Sequence, residues 1–156
     1  MPAGFTLSLS QRLNEISEVE VKEAQEGDIL KNGAVYIAPG GKHMRVMKKG
    51  TDYCIKLSDE PAIDGLRPCA NVMYESLENC QYDEITCVVL TGMGADGTKG
   101  IQGLAAHHKK LHVIAQDADT CVVYGMPKAI AQTGLVDEVV PLGSVAETIT
   151  KNVGVS

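Results

Sequence analysis

Residues 85–91 read Ile-Thr-Cys-Val-Val-Leu-Thr, an apolar run rich in β-branched side chains that passes directly into Gly92-Met93-Gly94-Ala95-Asp96-Gly97. A run of this kind, with no regular polar alternation, suits a strand buried on both faces. Such a strand needs helices packed against it, and the downstream pattern provides them. A helix from about Asp96 to Lys109 turns Ile101, Leu104 and Ala105 inward, and residues 111–116 (LHVIAQ) form the next strand. Residues 126–134 make a short helix ending at Gly134, and 135–142 (LVDEVVPL) make a last, edge strand. Ser144 and Glu147 have capping-box spacing for a terminal helix reaching about Val153. Strand–helix alternation requires crossover connections and a parallel sheet, so the fold class is α/β.

The first half is less regular. Phe5, Leu9, Leu13 and Ile16 share one face of an opening amphipathic helix. The acidic, glycine-punctuated stretch VEVKEAQEGDILKNG follows with no element assigned to it. Residues 34–39 read as a strand ended by Pro39-Gly40-Gly41, and 43–49 and 51–57 as hairpin arms around Gly50. Arg67-Pro68 marks a helix start, with Leu66, Ala70, Met73 and Leu77 as the apolar face. No repeat or linker is visible, and 156 residues predict one domain, 1–156.

Composition narrows the function classes. With 44% hydrophobic and 22% charged residues the chain reads as globular, and one Phe, five Tyr and no Trp mean an aliphatic core. A net charge of −6 argues against a nucleic-acid surface. No apolar run approaches the roughly 20 residues of a membrane span, and the first residues lack a signal-peptide pattern, which predicts a cytoplasmic protein. The five cysteines, 54, 69, 80, 87 and 121, are odd in number and without C-x-x-C spacing, so they read as reduced core thiols rather than a disulfide framework or zinc site. His107, His108 and His112 fall at a helix end and the following strand and form no zinc pattern. Ser8, Ser10, Ser17, Ser58, Ser76 and Ser144 lack a nucleophile-elbow context. No metal and no cofactor are expected.

The glycine loop admits three readings. Gly92, Gly94 and Gly97 match G-x-G-x-x-G, and Asp117 stands where a ribose-binding acid would, so a dinucleotide site is one candidate. Against it, Asp96 places a negative charge where a pyrophosphate would bind. Like charges at ~4–5 Å repel by several kcal/mol at an effective dielectric near 20. The second reading makes Asp96 a helix N-cap. The third makes it a carboxylate held at a strand end to orient a histidine, as in a Ser-His-Asp triad. Spacing leaves all three open.

LTGMGADGTKGIQGL (90–104) resembles, nearly letter for letter, a signature of the chemotaxis protein-glutamate methylesterase (protein-glutamine glutaminase) family. IAQDADTCVVYGMPKAIAQTGLVDEVVPL (114–142) is similar to the segment that follows it in that family, and VYIAPGGKHMRV (35–46) to its Ala-Pro-Gly and His loop. PAIDGLRPCANVMYES (61–76) resembles its Pro-Ser-Val-Asp helix entry, with Ala62 in place of the Ser, and residues 1–17 the segment after its catalytic histidine. The match is strongest over 1–17, 35–46 and 61–142. It implies a doubly wound, mostly parallel sheet with a hairpin near 43–57. It implies hydrolysis of glutamate methyl esters, and deamidation of glutamines, on the cytoplasmic helices of chemoreceptors by a Ser-His-Asp triad. Asp96 maps onto the triad acid, and Met93, Gly94 and His43 onto the site wall or oxyanion region.

The family's serine lies in a Gly-x-Ser-Thr-Gly-Gly turn after its first strand, and its histidine directly precedes the Met-Pro that Met1-Pro2 resembles. The resemblance therefore implies a partial catalytic domain that holds only the aspartate, without its first strand and without the receiver domain that precedes it in the family. A non-enzymatic docking remnant is the alternative reading. On the partial-domain expectation the 156-residue chain alone shows no ester hydrolysis above background, and its unpaired strand edges make it poorly soluble alone or self-associating. Robust hydrolysis, or a monodisperse and cooperatively melting monomer in sedimentation and calorimetry, would contradict it.

Overall fold

The computed structural model describes residues 1–107 and 109–154, which form two compact units, Met1–Cys80 and the part from Gln81 onward. The first unit contains α1 (Phe5–Ile16), β1 (Glu20–Glu23), β2 (Ala34–Ile37), β3 (His43–Lys49), β4 (Asp52–Ser58) and α2 (Ala70–Ser76). β1 and β2 are parallel, from Glu20↔Ala34 to Glu23↔Ile37. β3 and β4 are antiparallel, from His43↔Ser58 to Lys49↔Asp52, and Gly50 turns the chain between them at φ 64°.

The opening helix forms where the periodicity puts it, with Leu9 and Leu13 of the expected face half-buried, but the fully buried positions are polar. Phe5 and Ile16 are 55% and 62% exposed, whereas Thr6 and Ser10 are buried. Hydroxyls and an amide seat this helix. Thr6 Oγ1 donates to Glu23 Oε2 (2.5 Å) and accepts from the Gly40 N–H (2.9 Å). Asn14 Oδ1 accepts from the Val21 N–H (2.9 Å). Positions 6, 10 and 14 lie one above another on a helix, so a polar stripe meets β1 and the loop at Gly40. A Cβ at Gly40 would stand 2.5 Å from the Met1 carbonyl oxygen, which leaves room only for glycine there.

The acidic stretch contains a strand, β1, that hydropathy did not reveal. Its charged residues are paired, Glu20 with Lys31 (2.8 Å) and Lys22 with Asp28 (3.0 Å), while Val21 is buried. α2 begins at Ala70, not at Arg67-Pro68, and that shift changes its inward face. Cys69, Val72, Leu77 and Cys80 are buried; Leu66 is 41% exposed and Met73 half-buried. Ser76 Oγ accepts from the Val46 N–H (2.9 Å), tying α2 to β3.

The second unit runs β5 (Ile85–Val89), α3 (Thr98–Ala106), β6 (Leu111–Gln116), α4 (Gly125–Ala131), β7 (Glu138–Val140) and α5 (Val145–Val153). Its sheet is parallel in the order β5-β6-β7, and among the described residues β5 pairs along one edge only. Asn152 of α5 donates to Thr86 Oγ1 (2.7 Å), so α5 covers that face of β5. Cys87 and Val89 point the other way and are also buried, at 0% and 4%. Both faces of the strand are therefore covered, as its continuous apolar run requires. Burial pushes the Cys87 thiol up to about 12, so it stays protonated and inert at neutral pH. All five cysteines are free. Ile101, Leu104, Ile114 and Ile130 complete the core, each 0% exposed.

Ser144 precedes α5 but makes no side-chain cap. A short 3-10 turn, Leu142–Ser144, leaves it in right-handed helical backbone rather than the extended conformation that capping uses. Among the described residues no helix is long and apolar enough to cross a membrane.

Asp28 offers a stability test. Burial alone would raise its pKa, but the Gln25 N–H and the Lys22 ammonium outweigh that and hold it below 3.8. A carboxylate with a depressed folded pKa stabilises the fold above its unfolded pKa and loses that contribution as pH falls through the folded value. Asp28→Asn should cost about 1 kcal/mol at neutral pH in urea unfolding. The difference from wild type should be constant above about pH 5 and shrink below about pH 4; a gap independent of pH would refute the assignment.

Candidate functional site

Two loops meet at the carboxyl ends of β5 and β6, the position where α/β sheets gather ligands and catalytic groups. The first, 90–97, leads from β5 into α3. The second, 117–124, leads from β6 into α4. Neither has ladder hydrogen bonds of its own, so side chains and a few backbone contacts hold them.

Gln116, the last residue of β6, is 1% exposed and fully engaged. Its Oε1 accepts from the Thr91 N–H (2.8 Å), and its Nε2 donates to the Thr120 carbonyl (2.9 Å) and Thr120 Oγ1 (3.2 Å). Asp117 Oδ1 accepts from the Thr120 N–H (3.0 Å) and hydroxyl (2.6 Å), closing a tight turn of the kind short carboxylates make with backbone nearby. Thr120 Oγ1 also accepts from the Leu142 N–H (3.0 Å), which brings in the chain after β7.

The two loops are then joined edge to edge. Thr91 Oγ1 donates to the Val123 carbonyl and accepts from the Val123 N–H, both at 2.9 Å. The Gly92 N–H donates to the Val123 carbonyl and the Met126 N–H to the Gly92 carbonyl, again both at 2.9 Å. A Cβ on Gly92 would collide with the Met126 sulfur, and one on Gly125 would stand 3.0 Å from Gly92 O and Gly94 N. Gly94 and Gly97 have φ of 87° and 97°, where side chains are strained. The loop's three motif glycines are thus accounted for by internal packing and backbone shape. Asp117, the candidate ribose ligand, spends its Oδ1 on Thr120.

Asp96 is half-buried and lies one residue outside the N-cap of α3, which is Gly97. Met93 is 84% exposed, Gly94 is exposed, and the Thr98 hydroxyl at the helix start is buried without a partner. Asp96, Met93 and Gly94 are therefore brought together on one loop. His43 belongs to the first unit. It is 1% exposed, not a surface histidine, and its Nε2 donates to the Pro61 carbonyl (2.9 Å) while Nδ1 is buried and unpartnered. That bond fixes the proton on Nε2, because a carbonyl can only accept.

Of the other histidines, His107 Nδ1 donates to the Gly103 carbonyl (2.8 Å) and His112 Nε2 pairs with Glu138 (2.7 Å). His108 lies outside the described residues. Among the described residues no group of His, Cys, Asp and Glu is arranged to hold a metal. Sequence reasoning passed over Thr91, Gln116, Thr120 and the exposed Val122 (92%). The available signal was an amide closing the apolar run 113–115.

Comparison with known proteins extends the local match to almost the whole chain. The family model described as CheB methylesterase matches residues 1–149. A protein-glutamate methylesterase/protein-glutamine glutaminase of Desulfotalea psychrophila is 44% identical over 155 residues, covering 98% of this chain and 42% of that protein. One from Oceanobacillus iheyensis is 46% identical over 152 residues, covering 97% and 43%. The chain thus spans about two fifths of the length of these curated relatives. The crystal structure of the Thermotoga maritima CheB methylesterase catalytic domain superposes with a TM-score of 0.90 at 38% identity, covering 97% of this chain and 79% of that one. A doubly wound α/β architecture, five matching sequence segments in the right order and a family model spanning nearly every residue lead to one assignment: the chain belongs to the CheB methylesterase family.

Proposed function

We propose that this chain contributes the acid-bearing part of a carboxylic ester hydrolase that acts in the cytoplasm on glutamate methyl esters of chemoreceptor helices, and deamidates glutamines there. Asp96 is the triad aspartate in this reading. A serine hydroxyl attacks the ester carbonyl and passes its proton to a histidine, which returns it to the departing methoxide to give methanol. Water then releases the glutamate. Asp96 holds the imidazole in the correct tautomer and stabilises the imidazolium as it forms. The exposed Met93–Gly94 turn forms part of the wall facing the reacting carbonyl. A receiver domain is a further partner in this reading.

The observation that carries the proposal is Asp96's setting: a half-buried carboxylate at the carboxyl end of a core strand, on a loop fastened to its neighbour through Thr91, Gly92 and Val123. The names of the relatives supply the substrate class. In the protein carrying this chain, Asp96→Asn should lower kcat for methanol release from methylated receptor helices by roughly 10³–10⁴, with the melting temperature little changed. Wild-type turnover by that variant would remove the triad role. Receptor capture by a protein with no turnover at all would favour the docking reading instead.

A further inference from the structure

We propose that Gln116 is a positioning residue for Asp96, a role that rests on the triad reading above. The three residues before it, Val113, Ile114 and Ala115, are apolar and each at most 1% exposed. A methionine of similar length would pack there without burying an amide, and burial of an amide is tolerated only when its hydrogen bonds are made. Here all the bonds run to the two site loops. Oε1 takes the Thr91 N–H, at the root of the loop that carries Asp96, and Nε2 takes both oxygens of Thr120 in the facing loop.

Thr91 is also the residue whose hydroxyl grips Val123 from both sides. One buried amide therefore sets where the Asp96 loop leaves the sheet, and through Thr120 it sets the wall against which that loop rests. The loops have no ladder to fall back on, so loss of the amide should let the Asp96 loop drift without unfolding the core. A misplacement of about 1 Å can cost around 10²-fold in rate.

The test is a double-mutant comparison in the protein carrying this chain, with methanol release as one readout and amide hydrogen exchange as the other. Gln116→Met should lower kcat about 10- to 100-fold with KM little changed. In an Asp96→Asn background the same substitution should cost less than about twofold, because the group it positions is already gone. Exchange at the Thr91 and Val123 amides should accelerate. An equal loss in both backgrounds would make Gln116 merely structural and overturn the proposal, as would full activity of Gln116→Met where Asp96→Asn is crippled.

Should Asp96→Asn itself turn over normally, the triad reading falls and the exchange arm decides the rest. Unchanged protection at Thr91 and Val123 would remove the positioning role; faster exchange would keep it for the loop alone. If Gln116→Met does not fold, Gln116→Glu carries the same comparison, since it keeps the acceptor for Thr91 and loses the donors to Thr120.

Discussion

The double-sided burial of β5 governs the second unit. With α5 over the half-buried Thr86 and the core over the buried Cys87 and Val89, the middle of the strand offers a ligand little room. A polar side chain there must find a partner inside the protein, as Thr86 does in Asn152. Chemistry is thereby displaced to the strand's carboxyl end, where the backbone leaves the ladder at Thr91. The glycines that follow serve the same constraint. Gly92 gives way to Met126, and Gly125 lets the α4 entry close on the backbone of Gly92 and Gly94. The loop that carries Asp96 is shaped by packing against its neighbour, and its resemblance to a nucleotide fingerprint follows from that shape.

How much of this was legible depended on whether the pattern or the partner decided the outcome. β5, β6, β7, the β3–β4 hairpin and the helices of the second unit follow hydrophobic periodicity, and each lies within a few residues of where the sequence puts it. β1 does not, because its charges look like solvent-facing loop until Lys31 and Asp28 are seen to pair with them. α1 lies where its periodicity puts it, but of the expected face only Leu9 and Leu13 turn partly inward. Hydropathy cannot anticipate that Thr6 would meet Glu23 and Gly40, and Asn14 would meet Val21. Ser144 had the right spacing for a cap, but the turn before it removed the backbone conformation a cap needs.

The candidate site divides in the same way. Asp96 sits in a dense, recognisable motif and could be singled out as a candidate, although the residues alone leave its role open and only the family resemblance makes it a triad acid. Gln116 could not, for its significance lies in Thr91, twenty-five positions away in sequence, and a single glutamine at a strand end has no periodic signature. His43 lies between these cases. Its motif was visible, but its burial and its bond to Pro61 depend on how the 59–61 segment returns past β3.

Among the described residues, Met93 and Val122 are the most exposed large apolar side chains of the second unit, at 84% and 92%. They stand on adjoining loops, because Gly92 and Val123 are bonded to each other. Apolar surface left in water gains by being covered, so a substrate chain seated on these two side chains would be held partly by them. The same cover would exclude water from the Asp96 loop, and a charge pair strengthens as the effective dielectric around it falls. On the esterase reading, binding and activation are then coupled. On that reading, apolar contacts that held a substrate would also raise the value of the Asp96 carboxylate to an imidazolium formed during proton transfer.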